Sequence, residues 1–217
     1  MFTGIITHIG IVKNLAVAEN KDLLITLELE GLAADRDFKI GSSIACNGVC
    51  LTLVSHHSSL CHPHVGGDPD KNTLEFQASA ETLDKTNIKH WQIGDKINLE
   101  FALKMGDELG GHLVSGHIDD VVKVVNIVPI NNDSWKFEMT LPKDLKKFIA
   151  PKGSVVLNGV SLTVNEVLND VFCVNIIKHT FDNTTFGAKC GALKIGNYLN
   201  LEVDLIARYL ARLTNCL

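Results

Sequence analysis

The sequence has no apolar run near the ~20 residues that a bilayer-spanning helix needs. It has no excess of positive charge either: 20 Lys and Arg stand against 25 Asp and Glu, for a net charge of −5. Such a chain is not drawn over long range to nucleic acid or to an anionic membrane, so neither is expected as a partner. Met1-Phe2-Thr3-Gly4 lacks a basic n-region and a small-residue cleavage site, so no secretory signal is expected. Six cysteines are present, but Cys46, Cys50, Cys61, Cys173, Cys190 and Cys216 make no C-x-x-C pair. They read as reduced thiols of a cytoplasmic protein rather than as a disulfide framework. No G-x-G-x-x-G, no G-x-x-x-x-G-K-[ST] and no G-x-S-x-G occurs. Dinucleotide, P-loop and nucleophile-elbow chemistry therefore have no support. With 46% apolar and 21% charged residues in 217, the chain has ordinary globular composition and room for two small domains.

What is present is a duplication. Asn47-Gly48-Val49-Cys50-Leu51-Thr52-Leu53 returns as Asn158-Gly159-Val160-Ser161-Leu162-Thr163-Val164, offset by 111 residues. Thr3-Gly4-Ile5-Ile6 corresponds to Ser115-Gly116-His117-Ile118, and Ile93-Gly94-Asp95-Lys96-Ile97-Asn98-Leu99-Glu100 to Ile195-Gly196-Asn197-Tyr198-Leu199-Asn200-Leu201-Glu202. Glu81-Thr82 matches His179-Thr180 at an offset of 98, so the first copy carries an insertion, placed at 56–72 by its Gly66-Gly67-Asp68-Pro69-Asp70 loop composition. A second, small insertion falls near Ala188–Ala192. A period this long means two domains rather than a solenoid. Their expected bounds are 1–99 and 100–202, followed by a helix over 203–217.

Each copy reads as an all-β barrel or sandwich. Ile25, Leu27 and Leu29 alternate with polar residues, as do Trp135, Phe137, Met139 and Leu141, and Ile97, Leu99, Phe101 and Leu103. Short helical stretches are expected at Pro142–Ile149 and near Leu32–Phe38. At the C-terminus Ile206, Tyr209, Leu210, Leu213 and Leu217 recur at helical spacing, with Asp204 as N-cap and Arg208, Arg212 and Asn215 opposite. That stripe either packs on its own barrel or contacts another chain; the pattern alone leaves both open.

In the repeated heptapeptide Val49, Leu51 and Leu53 oppose Cys50 and Thr52, while Val160, Leu162 and Val164 oppose Ser161 and Thr163. If the apolar set fills a barrel, the polar set lies on an outer groove that another barrel must cover to exclude water. Gly110-Gly111-His112-Leu113-Val114-Ser115-Gly116-His117 sets two histidines among glycines, which suits proton exchange beside a closely approaching ligand. His56, His57, Cys61, His62 and His64 include zinc-ligand types without paired spacing, so no metal is expected.

Taken together, Met1-Phe2-Thr3-Gly4-Ile5, Asn47 to Thr52, Gly110 to Ile118 and Asn158 to Thr163 resemble the riboflavin synthase family of the alpha-chain type, with its lumazine-binding repeat. The resemblance implies two six-stranded antiparallel Greek-key barrels with a C-terminal helix, joined into a homotrimer through those helices. It implies the dismutation of two molecules of 6,7-dimethyl-8-ribityllumazine into riboflavin and 5-amino-6-(D-ribitylamino)uracil, without a cofactor, in a groove between barrels of neighbouring subunits. Whether the chain associates with lumazine synthase is left open. Carried over position by position, the resemblance assigns Gly4, Ile5, Ile6, Cys50, Leu51 and Thr52, with Gln77, Ala78, Ser79, Ala80, Glu81 and Thr82, to substrate binding on the first barrel. On the second it assigns Gly116, His117, Ile118, Lys152, Ser161, Leu162 and Thr163, with Asn175, Ile176, Ile177, Lys178, His179 and Thr180. Cys50, His117 and Ser43 are the implied catalytic groups, with Phe2, His112 and Asp204 in support. The alternative is a non-catalytic lumazine- or flavin-binding antenna protein on the same barrels. Such proteins lose His112, His117, Cys50 and Thr163, all of which stand here.

Overall fold

The computed structural model describes residues 1–29, 38–57, 73–131, 133–191 and 193–214. Alternating residues form twelve strands: β1 (His8–Val17), β2 (Leu23–Leu29), β3 (Ser43–Cys46), β4 (Val49–His57), β5 (Thr73–Ala78), β6 (Lys96–Phe101), β7 (Asp120–Asn131), β8 (Ser134–Thr140), β9 (Ser154–Leu157), β10 (Val160–Val167), β11 (Val171–Ile177) and β12 (Tyr198–Val203). The first six close into an antiparallel barrel in the order β1-β2-β5-β4-β3-β6. The second six close in the order β7-β8-β11-β10-β9-β12, the same circuit. Bulges at Val12/Asn14 and Leu53/Ser55, and at Val124/Asn126 and Val164/Glu166, bend strands at matching places so that each small sheet can close.

The expected apolar positions fill the barrels. Ile25, Leu27, Leu53, Phe76 and Leu99 lie in the first core, and Phe137, Met139, Val164, Phe172 and Leu201 in the second. The expected helical stretch after Pro142 is a 3-10 turn, Lys143–Phe148, while residues 30–37 and the insertion beyond His57, through 72, lie outside the described residues. Helix α1 (Ala80–Lys85) follows β5 and helix α2 (Lys178–Asn183) follows β11.

The polar partners of the alternation behave differently from a solvated face. Asn98 and Asn200 point out of their barrels and are fully buried, because the other barrel covers them. Asn47 and Asn158 take a left-handed φ of +45° ahead of Gly48 and Gly159, the Asn-Gly chemistry of a tight hairpin. The two hairpins meet back to back: a Cβ on Gly48 would lie 2.7 Å from the Gly159 amide, and one on Gly159 2.8 Å from that of Gly48. The Asn98 side-chain amide donates to the Asn158 carbonyl and that of Asn200 to the Asn47 carbonyl, each at 2.9 Å. Reciprocity of this kind marks a pseudo-twofold axis between the copies. Phe2, Ala45, Val114 and Val156 form a third buried cluster, so Phe2 is packing rather than a group open to substrate.

Helix α3 (Leu205–Thr214) starts at Asp204, whose carboxylate accepts the Ile206 amide at 2.8 Å. Arg208 is half-buried and pairs with Asp119 at 2.9 Å, while Arg212 is exposed. Ile206, Tyr209, Leu210 and Leu213 are left exposed, at 58–65% of their surface.

Candidate active site

On β4, Leu51 is buried in the barrel while Cys50 is half-buried and Thr52 exposed. On β10, Leu162 is buried, Ser161 half-buried and Thr163 exposed. The outward groove of each copy thus carries Cys50 and Thr52, or Ser161 and Thr163. Ser43 stands opposite Thr52 across the β3–β4 pair, and Ser154 opposite Thr163. Ser154 is the symmetry mate of Ser43 and was not singled out by the sequence.

The sequence reading assigns Gly4, Ile5 and Ile6 to the first barrel's set and Gly116, His117 and Ile118 to the second's. The structure crosses them. The Cys50 amide donates to the Gly116 carbonyl at 2.9 Å, and the Ser161 amide to the Gly4 carbonyl at 2.8 Å. Ile118 packs against the core of the first barrel and Ile6 against that of the second. One half-site therefore combines Cys50, Leu51 and Thr52 with Gly116, His117 and Ile118. The other combines Ser161, Leu162 and Thr163 with Gly4, Ile5 and Ile6. The crossing was invisible to alternation, which reports a residue's face and not the strand it lies beside.

The approach is close enough to demand glycine. Gly116 has φ +79°, and a Cβ there would sit 2.7 Å from that of Cys50. Gly4 has φ +77°, and its Cβ would sit 2.5 Å from that of Ser161. His117 is exposed beside Cys50 in the first half-site; in the second the hydrophobic Ile5 takes its place and His112 supplies the imidazole, with Nδ1 2.7 Å from Ser161 Oγ. Burial holds His112 below its usual value, against the pull of Asp204. Its Nε2 is buried without a hydrogen-bond partner among the described residues.

The remaining assigned residues lie on equivalent strand-to-helix corners. Gln77 is exposed and donates to Asp22 at 2.6 Å, and Ser79 caps α1 by accepting the Thr82 amide at 3.3 Å. Ala80 and Glu81 are exposed and Thr82 half-buried. On the second corner Asn175, Ile177, Lys178 and His179 are exposed and Thr180 is half-buried. The side chains of Ala78 and Ile176, like those of Leu51 and Leu162, belong to the cores, so those residues offer a ligand their backbone. Lys152 is exposed with φ +69°, where the first copy has Gly41 at φ +89°. A lysine held in the left-handed region, where its sister copy uses glycine, is a strained choice that only the second copy makes.

Two residues were missed. Glu100 accepts Thr3 N and Oγ1 at 2.6 Å each and Gly4 N at 2.8 Å. Glu202 accepts Ser115 N at 2.7 Å, Ser115 Oγ at 2.6 Å and Gly116 N at 2.9 Å. Both close a repeated octapeptide, and that recurrence was the available signal. Among the described residues no group of three or more His, Cys, Asp and Glu is arranged to hold a metal ion; His56 and His57 are described, while Cys61, His62 and His64 are outside.

The chain matches the family model of the lumazine binding domain twice, over residues 3–102 and 115–204. It is 44% identical to the riboflavin synthase of Brucella abortus, covering 98% of both chains. It is 35% identical to that of Escherichia coli, covering 94% of this chain and 87% of that one. Among solved structures it resembles LumP complexed with riboflavin, with a TM-score of 0.75 and 26% identity over 94% of this chain and 99% of that one. LumP complexed with 6,7-dimethyl-8-(1'-D-ribityl) lumazine gives a TM-score of 0.73 at 25% identity, with the same coverage.

Proposed function

Because the chain belongs to the riboflavin synthase family and carries its lumazine binding domain in two copies, we propose that it converts two molecules of 6,7-dimethyl-8-ribityllumazine into riboflavin and 5-amino-6-(D-ribitylamino)uracil. Four carbons pass from one lumazine to its twin, so the reaction consumes no external oxidant or reductant. One observation carries the reading: the crossed pairs Cys50–Gly116 and Ser161–Gly4 build two alike half-sites from one chain. Two copies of one platform suit two copies of one ring.

The half-sites differ where the two rings must play different parts. Cys50 and His117, with Ser43 nearby on β3, act on one lumazine; Ser161 and His112, with Lys152 at the rim, hold the other. The lumazine 7-methyl protons are acidic because the ring delocalises the resulting anion. His117 moves such a proton, a contribution of ~10²–10⁴-fold. The Cys50 thiol adds transiently to the ring or holds the water that does. Gln77–Thr82 and Asn175–Thr180 line the corners that grip the rings and their ribityl chains. Stacking two rings in one groove supplies the larger share, up to ~7–11 kcal/mol.

Each outward groove needs a covering barrel to exclude water, so the face-to-face stack takes the first half-site of one chain and the second of a neighbour. The exposed stripe of α3 supports a homotrimer joined through that helix. The free thiols of Cys46, Cys50, Cys173 and Cys190 suit a cytoplasmic setting.

Purified protein incubated with the lumazine alone is expected to form riboflavin and the uracil in equal amounts, two lumazines consumed for each pair. Tight binding without turnover would instead make it an antenna protein of the LumP kind.

A further inference from the structure

Resting on the proposed reaction, we infer that Glu100 and Glu202 are crossed positioning residues: each, from the last strand of its own barrel, fixes the segment that completes the half-site on the opposite barrel. Glu202 is 1% exposed and Glu100 4%, although a carboxylate buried without partners is costly. Each takes three donors on two oxygens, and each receives only N–H and O–H groups, which an acceptor-only carboxylate satisfies and an amide does not.

The hydrogen bonds run on toward the site. Glu202 Oε1 accepts from Ser115 Oγ, and that hydroxyl oxygen accepts the His117 amide at 3.3 Å. Glu202 Oε2 accepts the Gly116 amide, and the Gly116 carbonyl takes the Cys50 amide at 2.9 Å. Residues 115–118 belong to no strand, so this carboxylate sets where their backbone lies. The first copy repeats the pattern: Glu100 holds Thr3 and Gly4, Thr3 Oγ1 accepts the Ile5 amide at 3.2 Å, and Gly4 takes the Ser161 amide. A carboxylate of the second barrel thus governs the Cys50–His117 half-site, and one of the first barrel governs the Ser161–Ile5 half-site.

The crossing makes the test specific. Full-length Glu202→Gln and Glu100→Gln are compared in turnover of the lumazine and in the protection that riboflavin gives Cys50 against iodoacetamide, read on the Cys50 peptide by mass spectrometry. Breaking buried charge-assisted bonds should cost Glu202→Gln about tenfold or more in kcat, and raise by a similar factor the riboflavin needed to protect Cys50. Glu100→Gln should raise KM and leave Cys50 protection within about twofold. Loss of folding stability alone would move both readouts alike in both variants. Equal effects of the two substitutions, or a Glu202→Gln protein with unchanged kcat and protection, overturn the inference. Should Glu202→Gln not fold, Ser115→Ala, which removes one donor, decides in its place with the same ordering at about threefold. Failure of the wild-type protein to make riboflavin would count against the proposed reaction, whereas turnover without a contrast between the variants would count against the carboxylates.

Discussion

The Cys50 amide is bonded to the Gly116 carbonyl at 2.9 Å, although the two residues belong to different barrels. Each copy of the repeat thus lends its opening segment to the other, and neither half-site is complete in one barrel alone.

Gly116→Ala places a methyl 2.7 Å from the Cys50 Cβ on a residue with φ +79°. The left-handed conformation alone costs ~1–2 kcal/mol, and the clash pushes His117 away from Cys50. Turnover is expected to fall at least about tenfold. Gly106→Ala is the control: φ is +95°, but no atom of the described residues lies within 4 Å of the added carbon. It should lose stability alone. Urea melts and initial rates of both variants check the contrast.

Asn98→Leu strands partners on both barrels. The Asn158 carbonyl loses its donor and the Thr185 amide its acceptor, at the core of the interface. At ~1–3 kcal/mol for each orphaned group, a loss of ~2–6 kcal/mol is expected. The unfolding midpoint in denaturant measures it; a loss below about 1 kcal/mol would mean that the barrels do not depend on this ladder.

Burial keeps the His112 pKa below its usual 6.5, with Asp204 opposing. The unfolded chain therefore binds more protons between the lowered value and 6.5. Stability from this group is full above that window and is lost as pH falls through it. Glu100, Glu202 and Asp119 are raised by burial, and their contribution is instead lost as pH rises through their folded values. The difference between wild type and His112→Gln isolates the histidine: the stability gap should narrow from pH about 7.5 to about 5.5 in urea melts. A gap independent of pH would contradict this.

Leu210→Glu puts charge in the middle of the exposed α3 stripe, away from the Arg208–Asp119 pair that ties the helix to its barrel. The chain should sediment as a monomer and lose at least about tenfold in turnover, since each groove would lack its covering barrel. A monomer at full activity would refute the shared groove.

Local order explains how much of this was legible. Val49, Leu51 and Leu53 point inward because a strand has a period of two, and the pattern reports that directly. The Asn-Gly turns are equally local. The same alternation marks Asn98, Glu100, Asn200 and Glu202 only as outward, and all four are buried. What covers an outward face is set by residues distant in sequence, which no period encodes. The terminal stripe shows this from the other side: its helical spacing was plain, but which side met the barrel was settled by Arg208 finding Asp119.

The amino-acid order determined the duplication, the strands and their inward faces, and the Cys50/Ser161 and His117/Ile5 differences between the copies, since these depend on neighbours along the chain. Tertiary structure alone decided that the opening segments change places and that two carboxylates hold them there. Hydrogen bonds between distant strands, and the room left where glycine lacks a side chain, exist only after the barrels have met.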